Sequence, residues 1–151
     1  MTTYPRKCAK CRERAVSPVI EDYSIALEHD GRSYVVTVPS LSILVCQNCG
    51  NRVLDREANQ RVSDALRTAA GLLTPSEIKQ YRLELGMTQK ELAERLKIAE
   101  STLCRWETGA QIQQRAFDLL LRLYFAVPAV RYYLAPKPTS IPRPEVEINR
   151  G

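Results

Sequence analysis

Residues 86–109 read GMTQKELAERLKIAESTLCRWETG, and their spacing decides the second half of the chain. Thr88-Gln-Lys-Glu91 is a capping box: a threonine able to cap, with a glutamate three positions on. Leu92, Ala93 and Leu96 then share one helical face, and the small Ala93 suits a close helix crossing. Lys97-Ile98-Ala99 is a short turn with Ile98 as its apolar anchor. Leu103 and Trp106 form the inner face of a following helix that Gly109 ends. Upstream, Thr74-Pro75-Ser76-Glu77 opens another helix through a cap, a proline at the first position and a second capping box. That helix places Ile78, Tyr81 and Leu85 on one face and ends at Gly86. Downstream, a helix is expected over about 113–125, with Phe117, Leu120, Leu121 and Tyr124 as core candidates.

This stretch resembles the Xre/Cro-type helix-turn-helix family in its helix starts, turn and buried positions. With Leu103 and Trp106 inward, Ser101 and Arg105 share the outer face at i and i+4, beside Thr102. The resemblance makes that helix the DNA reader, entering the major groove N-terminus first. Arg105 is then a candidate for a bidentate bond to guanine, and Gln89 for a phosphate contact at the start of the preceding helix. Arg82 and Glu107 match an arginine–glutamate pair that braces this fold internally. Ala99 stands where a capping serine is usual, so the reading helix is expected to start at Ser101 instead.

The first half is organised by cysteine. Cys8-x-x-Cys11 and Cys46-x-x-Cys49 are two metal-type pairs, and Cys104 stands alone as a small packing residue. Two such turns supply a tetrahedral four-sulfur shell, which zinc favours and which leaves no open position for water or substrate. Rubredoxin-like iron would use the same sulfurs. A thiol oxidoreductase would need a thioredoxin-like βαβ unit, which the pattern lacks. Disulfides do not suit a chain whose N-terminus, MTTYPRKCAKCRER, carries no apolar signal segment. The reading is one structural zinc, stapling a unit too small to hold together on apolar burial alone. Gly50 follows the second pair and lets amides turn toward the thiolates, whereas Cys11 has no following glycine, so the first knuckle is expected to be looser. Arg6, Lys7, Arg12 and Arg14 either offset the −2 charge of a zinc ion with four thiolates or form a solvated surface.

Tyr23–Glu28 and Ser33–Val38 flank a His-Asp-Gly-Arg turn, a hairpin signal. Leu41–Val45 is a third apolar run leading to the second cysteine pair. From Asp55 the spacing turns helical, with Ala58, Val62, Ala65 and Leu66 as a narrow stripe: a linker helix, or one lying on the first domain. The expected fold class is α+β with two domains: a small β-rich, four-cysteine zinc ribbon (1–54), a linker helix (55–73) and an all-α five-helix helix-turn-helix domain (74–134). Residues 135–151, rich in proline, are expected to be a flexible tail.

The net charge of +5 permits a nucleic-acid partner without establishing one, because the basic excess is spread over both halves. No apolar run is long enough for a membrane span, and a cytoplasmic, nucleoid-associated protein is expected. The lone histidine, His29, falls in the hairpin turn, so no catalytic constellation is visible and no enzyme is expected.

Taken together, the cysteine spacing, the segment PSLSILVCQNCGN and the domain order resemble the MqsA-type antitoxin family, also described as YgiT-type zinc finger proteins. The resemblance spans nearly residues 8–134. It implies a homodimeric repressor of its own operon at a palindromic double-stranded DNA operator, with a zinc domain that neutralises a ribonuclease toxin. A free-standing zinc-ribbon/Xre-type regulator without a toxin is the alternative. Arg105 matches a base-reading arginine of that family, while Ser101 replaces an asparagine, so the operator sequence does not carry over. Leu119, Leu123, Tyr132 and Tyr133 either build the dimer interface or complete a monomer core.

Overall fold

A computed structural model describes residues 3–136. The expected tail lies, from residue 137 onward, outside the described residues.

Four antiparallel strands form one sheet in the order β1-β2-β3-β4: β1 Arg6–Lys7, β2 Arg14–His29, β3 Arg32–Cys46 and β4 Arg52–Val53. β2 and β3 are one long hairpin closed at Asp30-Gly31, where both residues have positive φ (53° and 73°). That is the signature of a type I′ turn, whose twist matches the strands it joins.

Leu41–Val45, the third apolar run, is the continuation of β3. Pro39 and Ser40 stand opposite the single residue Asp22, and this bulge shifts the register. Asp22 Oδ1 accepts from the Ser40 amide at 2.9 Å, and Arg61 donates to the Pro39 and Ser40 carbonyls. The extra residue changes the alternation: Val36 and Val38 before it and Leu41 and Ile43 after it all become buried.

α1 (Arg56–Ala70) lies on β3, with its apolar stripe packed on the sheet. Asp55 caps it by accepting from the Ala58 amide, and Ala58, Val62 and Leu66 bury one face against Val36, Val38, Leu41 and Ile43.

Five helices follow: α2 (Pro75–Glu84), α3 (Gln89–Leu96), α4 (Glu100–Thr108), α5 (Arg115–Ala126) and α6 (Pro128–Tyr133). Both expected capping boxes, Thr74 with Glu77 and Thr88 with Glu91, are formed. A second core joins Leu73, Ile78, Leu92, Ala93, Leu96, Leu103, Trp106, Leu121 and Tyr124. Tyr81 differs from its expected inner position: it is exposed, and its ring packs 5.3 Å from that of Phe125. No helix among the described residues is long and apolar enough to cross a membrane.

Candidate nucleic-acid interface and metal centre

α3 ends on Lys97, whose positive φ of 58° turns the chain, and Ala99 serves as the N-cap of α4. α4 therefore begins at Glu100, one residue earlier than the missing capping serine predicts. Its N-cap makes no side-chain hydrogen bond. Ala99 still takes the extended conformation a cap requires, and its carbonyl accepts from the Thr102 and Leu103 amides. Helix entry needs this backbone geometry; the side-chain cap only adds to it.

Leu103 and Trp106 are buried, and they fix which side of α4 faces out. Ser101 and Arg105 are exposed and Thr102 is half-buried beside them. None of the three has a side-chain hydrogen bond or ion pair among the described residues. The outward strip of α4 is thus a short row of uncommitted donors carrying one positive charge.

Behind it, the Arg82 guanidinium clamps Glu107: Nε donates to Oε1 at 2.6 Å and Nη2 to Oε2 at 2.8 Å. Arg82 Nη1 also donates to the Met87 carbonyl at 2.8 Å, tying α2 to the α3 entry and to α4. Burial works against the Glu107 charge, but hydrogen bonds from Arg82 and Gln89 outweigh it and hold its pKa below the ordinary value. The side-chain bond to Glu107 correspondingly raises Arg82. This is the internal brace that the family resemblance implied.

Gln89 is drawn into the brace, donating through Nε2 to Glu107 Oε2 at 2.8 Å. Its side chain therefore serves the α3–α4 junction, and its place at the first turn of α3 leaves the backbone amide among those with no intrahelical acceptor. The sequence placed Gln89 at a helix start but gave no sign of the bond to Glu107, which depends on a residue 18 positions away.

Residues 78–129 match the HTH_3 helix-turn-helix family model. This Xre-type module belongs to DNA-binding transcription regulators, and its match starts in α2 and runs through α5. It covers about a third of the chain and leaves the cysteine-bearing sheet outside it. No curated protein matches the chain.

At the far end of the sheet, Cys8, Cys11, Cys46 and Cys49 bring their four sulfurs within 4.8 Å of one another. Cys8 Sγ lies 3.7 Å from Cys49 Sγ, and Cys11 Sγ 3.6 Å from Cys46 Sγ. Metal–sulfur bonds of about 2.3 Å in a tetrahedron set sulfurs about 3.8 Å apart, so the four fit one thiolate-bound ion.

The two knuckles have the same geometry. The Gly50 amide donates to the Cys46 carbonyl at 2.9 Å, and the Arg12 amide donates to the Cys8 carbonyl at 3.0 Å. Arg12 adopts a φ of 66°, matching the 69° of Gly50. The first knuckle is thus not looser; it carries a non-glycine residue in the left-handed region, a conformation that costs some strain.

Hydrogen bonds from the Asn48 side chain and the Glu13 backbone lower the Cys11 thiol to about 6. The Asn51 backbone lowers Cys49, but burial and the neighbouring sulfurs prevail and push it up to about 11. A divalent ion between the four sulfurs would supply the positive charge that lets all four ionise together.

Proposed function

We propose that this protein is a sequence-specific DNA-binding transcriptional repressor that reads double-stranded DNA through Ser101, Thr102 and Arg105, with Gln89 at the backbone-contacting start of α3. The observation that carries this reading is the division of α4, with Leu103 and Trp106 buried while Arg105 stands exposed and unpaired among the described residues. An arginine so placed can bond guanine with two donors, and phosphate contacts from helix N-termini set the register. The chain acts by occupancy of DNA and not as an enzyme, and its place of action is the cytoplasm, at the nucleoid.

The metal is one structural zinc held by Cys8, Cys11, Cys46 and Cys49. A full sulfur shell offers no position for substrate, so its work is to hold the two knuckles and the sheet end together.

The likeness to MqsA-type antitoxins extends the reading. The chain would act as a homodimer at a palindromic operator, repress its own operon, and neutralise a ribonuclease toxin through the zinc ribbon. Leu119, Leu123, Tyr132 and Tyr133 are all exposed, which favours their use in a dimer interface over a place in the monomer core. A free-standing regulator shares every feature except the toxin.

The deciding experiment measures binding of the full chain to the duplex upstream of its own gene and to a scrambled duplex. Preference for the upstream duplex, lost on dilution to monomer, is the expected result; equal binding to both ends the proposal. Co-expression with the neighbouring open reading frame decides the toxin: a co-purifying complex supports the antitoxin, and its absence leaves the free-standing regulator.

A further inference from the structure

The segment that leaves the reading helix α4 and enters α5, residues 109–115, is held from outside its own module. Arg67 on α1 is only 1% exposed, and its Nη2 donates to the Gly109 carbonyl at 3.2 Å and the Gln111 carbonyl at 3.4 Å. Its Nη1 donates to Asp64 Oδ1 at 2.9 Å. A buried cation therefore sits at the C-terminal end of α4, where the helix dipole favours positive charge. Ile112 packs into the apolar cluster between the sheet and α1.

The hairpin tip holds the other end. The His29 ring nitrogen Nε2 lies 3.0 Å from the Gln113 carbonyl, and the Arg115 amide donates to Asp30 Oδ2 at 3.0 Å. α5 has Gln114 at its N-cap with no side-chain bond of its own. Asp30, 85 residues away in sequence, thus supplies the cap that α5 lacks.

We propose that Asp30 and Arg67 are positioning residues for DNA reading: they fix the segment 109–115 at both ends and so set how the metal-ribbon sheet presents α4 to the groove. This rests on the DNA-binding reading above. Neither residue touches DNA; they act through the backbone that follows Gly109. The sheet, α1 and the helix-turn-helix become one body, and a variant of the hairpin tip alters base reading without changing any group on α4.

The decisive variant is Asp30→Gly. Glycine keeps the positive φ of the turn, so the hairpin closes as before while the carboxylate is lost. Asp30→Asn restores a cap oxygen. The full chain is titrated with the duplex upstream of its gene and with a scrambled duplex. Asp30→Gly is expected to weaken upstream binding on the order of five-fold, the scale of a lost cap, with scrambled binding unchanged and faster amide exchange at residues 115–118. Asp30→Asn is expected to recover most of the difference, which a general loss of stability would not do. An unchanged ratio of upstream to scrambled binding in Asp30→Gly overturns the proposal, as does an equal loss on both duplexes. If the wild-type chain itself shows no preference, the DNA reading falls and takes this role with it; a wild-type preference that Asp30→Gly retains removes the positioning role alone. Arg67→Met is the harsher companion, and Asp30→Gly decides if that variant does not fold.

Discussion

Arg82 and Glu107 meet through two parallel hydrogen bonds, with side chains 8% and 2% exposed, and they join α2, the first helix of the helix-turn-helix module, to α4. Pairs of this kind repay the cost of leaving water only while both members are present. Glu107→Ala leaves a buried guanidinium without its partner and is expected to destabilise the fold by about 3–5 kcal/mol, measured by denaturant unfolding. Removing both charges together, as Arg82→Met with Glu107→Leu, should cost much less. A double variant as unstable as the single one would show that the pair's worth lies elsewhere.

The same pair sets an acid limit. Glu107 has a folded-state pKa below its ordinary 4.5, so the folded chain binds fewer protons there than the unfolded chain. Its contribution is complete above that ordinary value and is lost as pH falls through the depressed folded one. Wild type should therefore lose stability with acid more steeply than Glu107→Gln below about 4.5. Parallel acid limbs for the two proteins would remove Glu107 from the account.

On the DNA face, Arg105→Ala is expected to cost roughly 1–3 kcal/mol on the preferred duplex and little on a scrambled one. Gln89→Ala should weaken both duplexes more evenly and also lower the melting temperature, because its amide is bonded to Glu107. Anisotropy titrations with calorimetry on the same samples separate the two patterns. An Arg105→Ala chain that keeps full discrimination would shift base reading away from that residue.

α4 lacks a side-chain cap, and Ala99 already holds the backbone angles of an N-cap, φ −70° and ψ 142°. Ala99→Ser is therefore expected to stabilise the fold by about 0.5–2 kcal/mol, read as a rise in melting temperature. A fall instead would mean that a hydroxyl at this point is harmful to the α3–α4 turn.

Wild type is expected to carry one zinc per chain, and Cys46→Ala almost none, by elemental analysis of the purified proteins. The helix-turn-helix has its own apolar core around Trp106, so tryptophan emission should stay that of a buried ring when the ribbon loosens. Iron in place of zinc would correct the metal assignment. A metal-free wild type would end it.

Replacing Leu119 and Leu123 together by glutamate should convert the proposed homodimer to a monomer in sedimentation, with little change in melting temperature. These side chains are 58% and 40% exposed, and each monomer core is complete without them. An unchanged sedimentation mass would place the interface on another surface.

Sequence alone determined whatever depends on neighbours along the chain. Capping boxes at Thr74 and Thr88, the buried stripe Leu92-Ala93-Leu96, the outward placing of Arg105 and the two cysteine pairs are all local spacings, and each has a direct physical meaning. The hairpin turn at Asp30-Gly31 was legible for the same reason. Tertiary structure decided what depends on distant partners. No local spacing marks Arg67, which meets the carbonyls of Gly109 and Gln111 only in the folded chain. Asp30 was only a turn residue until α5 started beside it. Arg12 takes a glycine's conformation because the knuckle around Cys8 and Cys11 imposes it, and Leu41–Val45 stays in β3 because an extra residue at the bulge restores its inward face. Propensity and periodicity report on a few residues at a time, whereas a buried charge or a borrowed cap is settled by which surfaces meet when the whole chain packs.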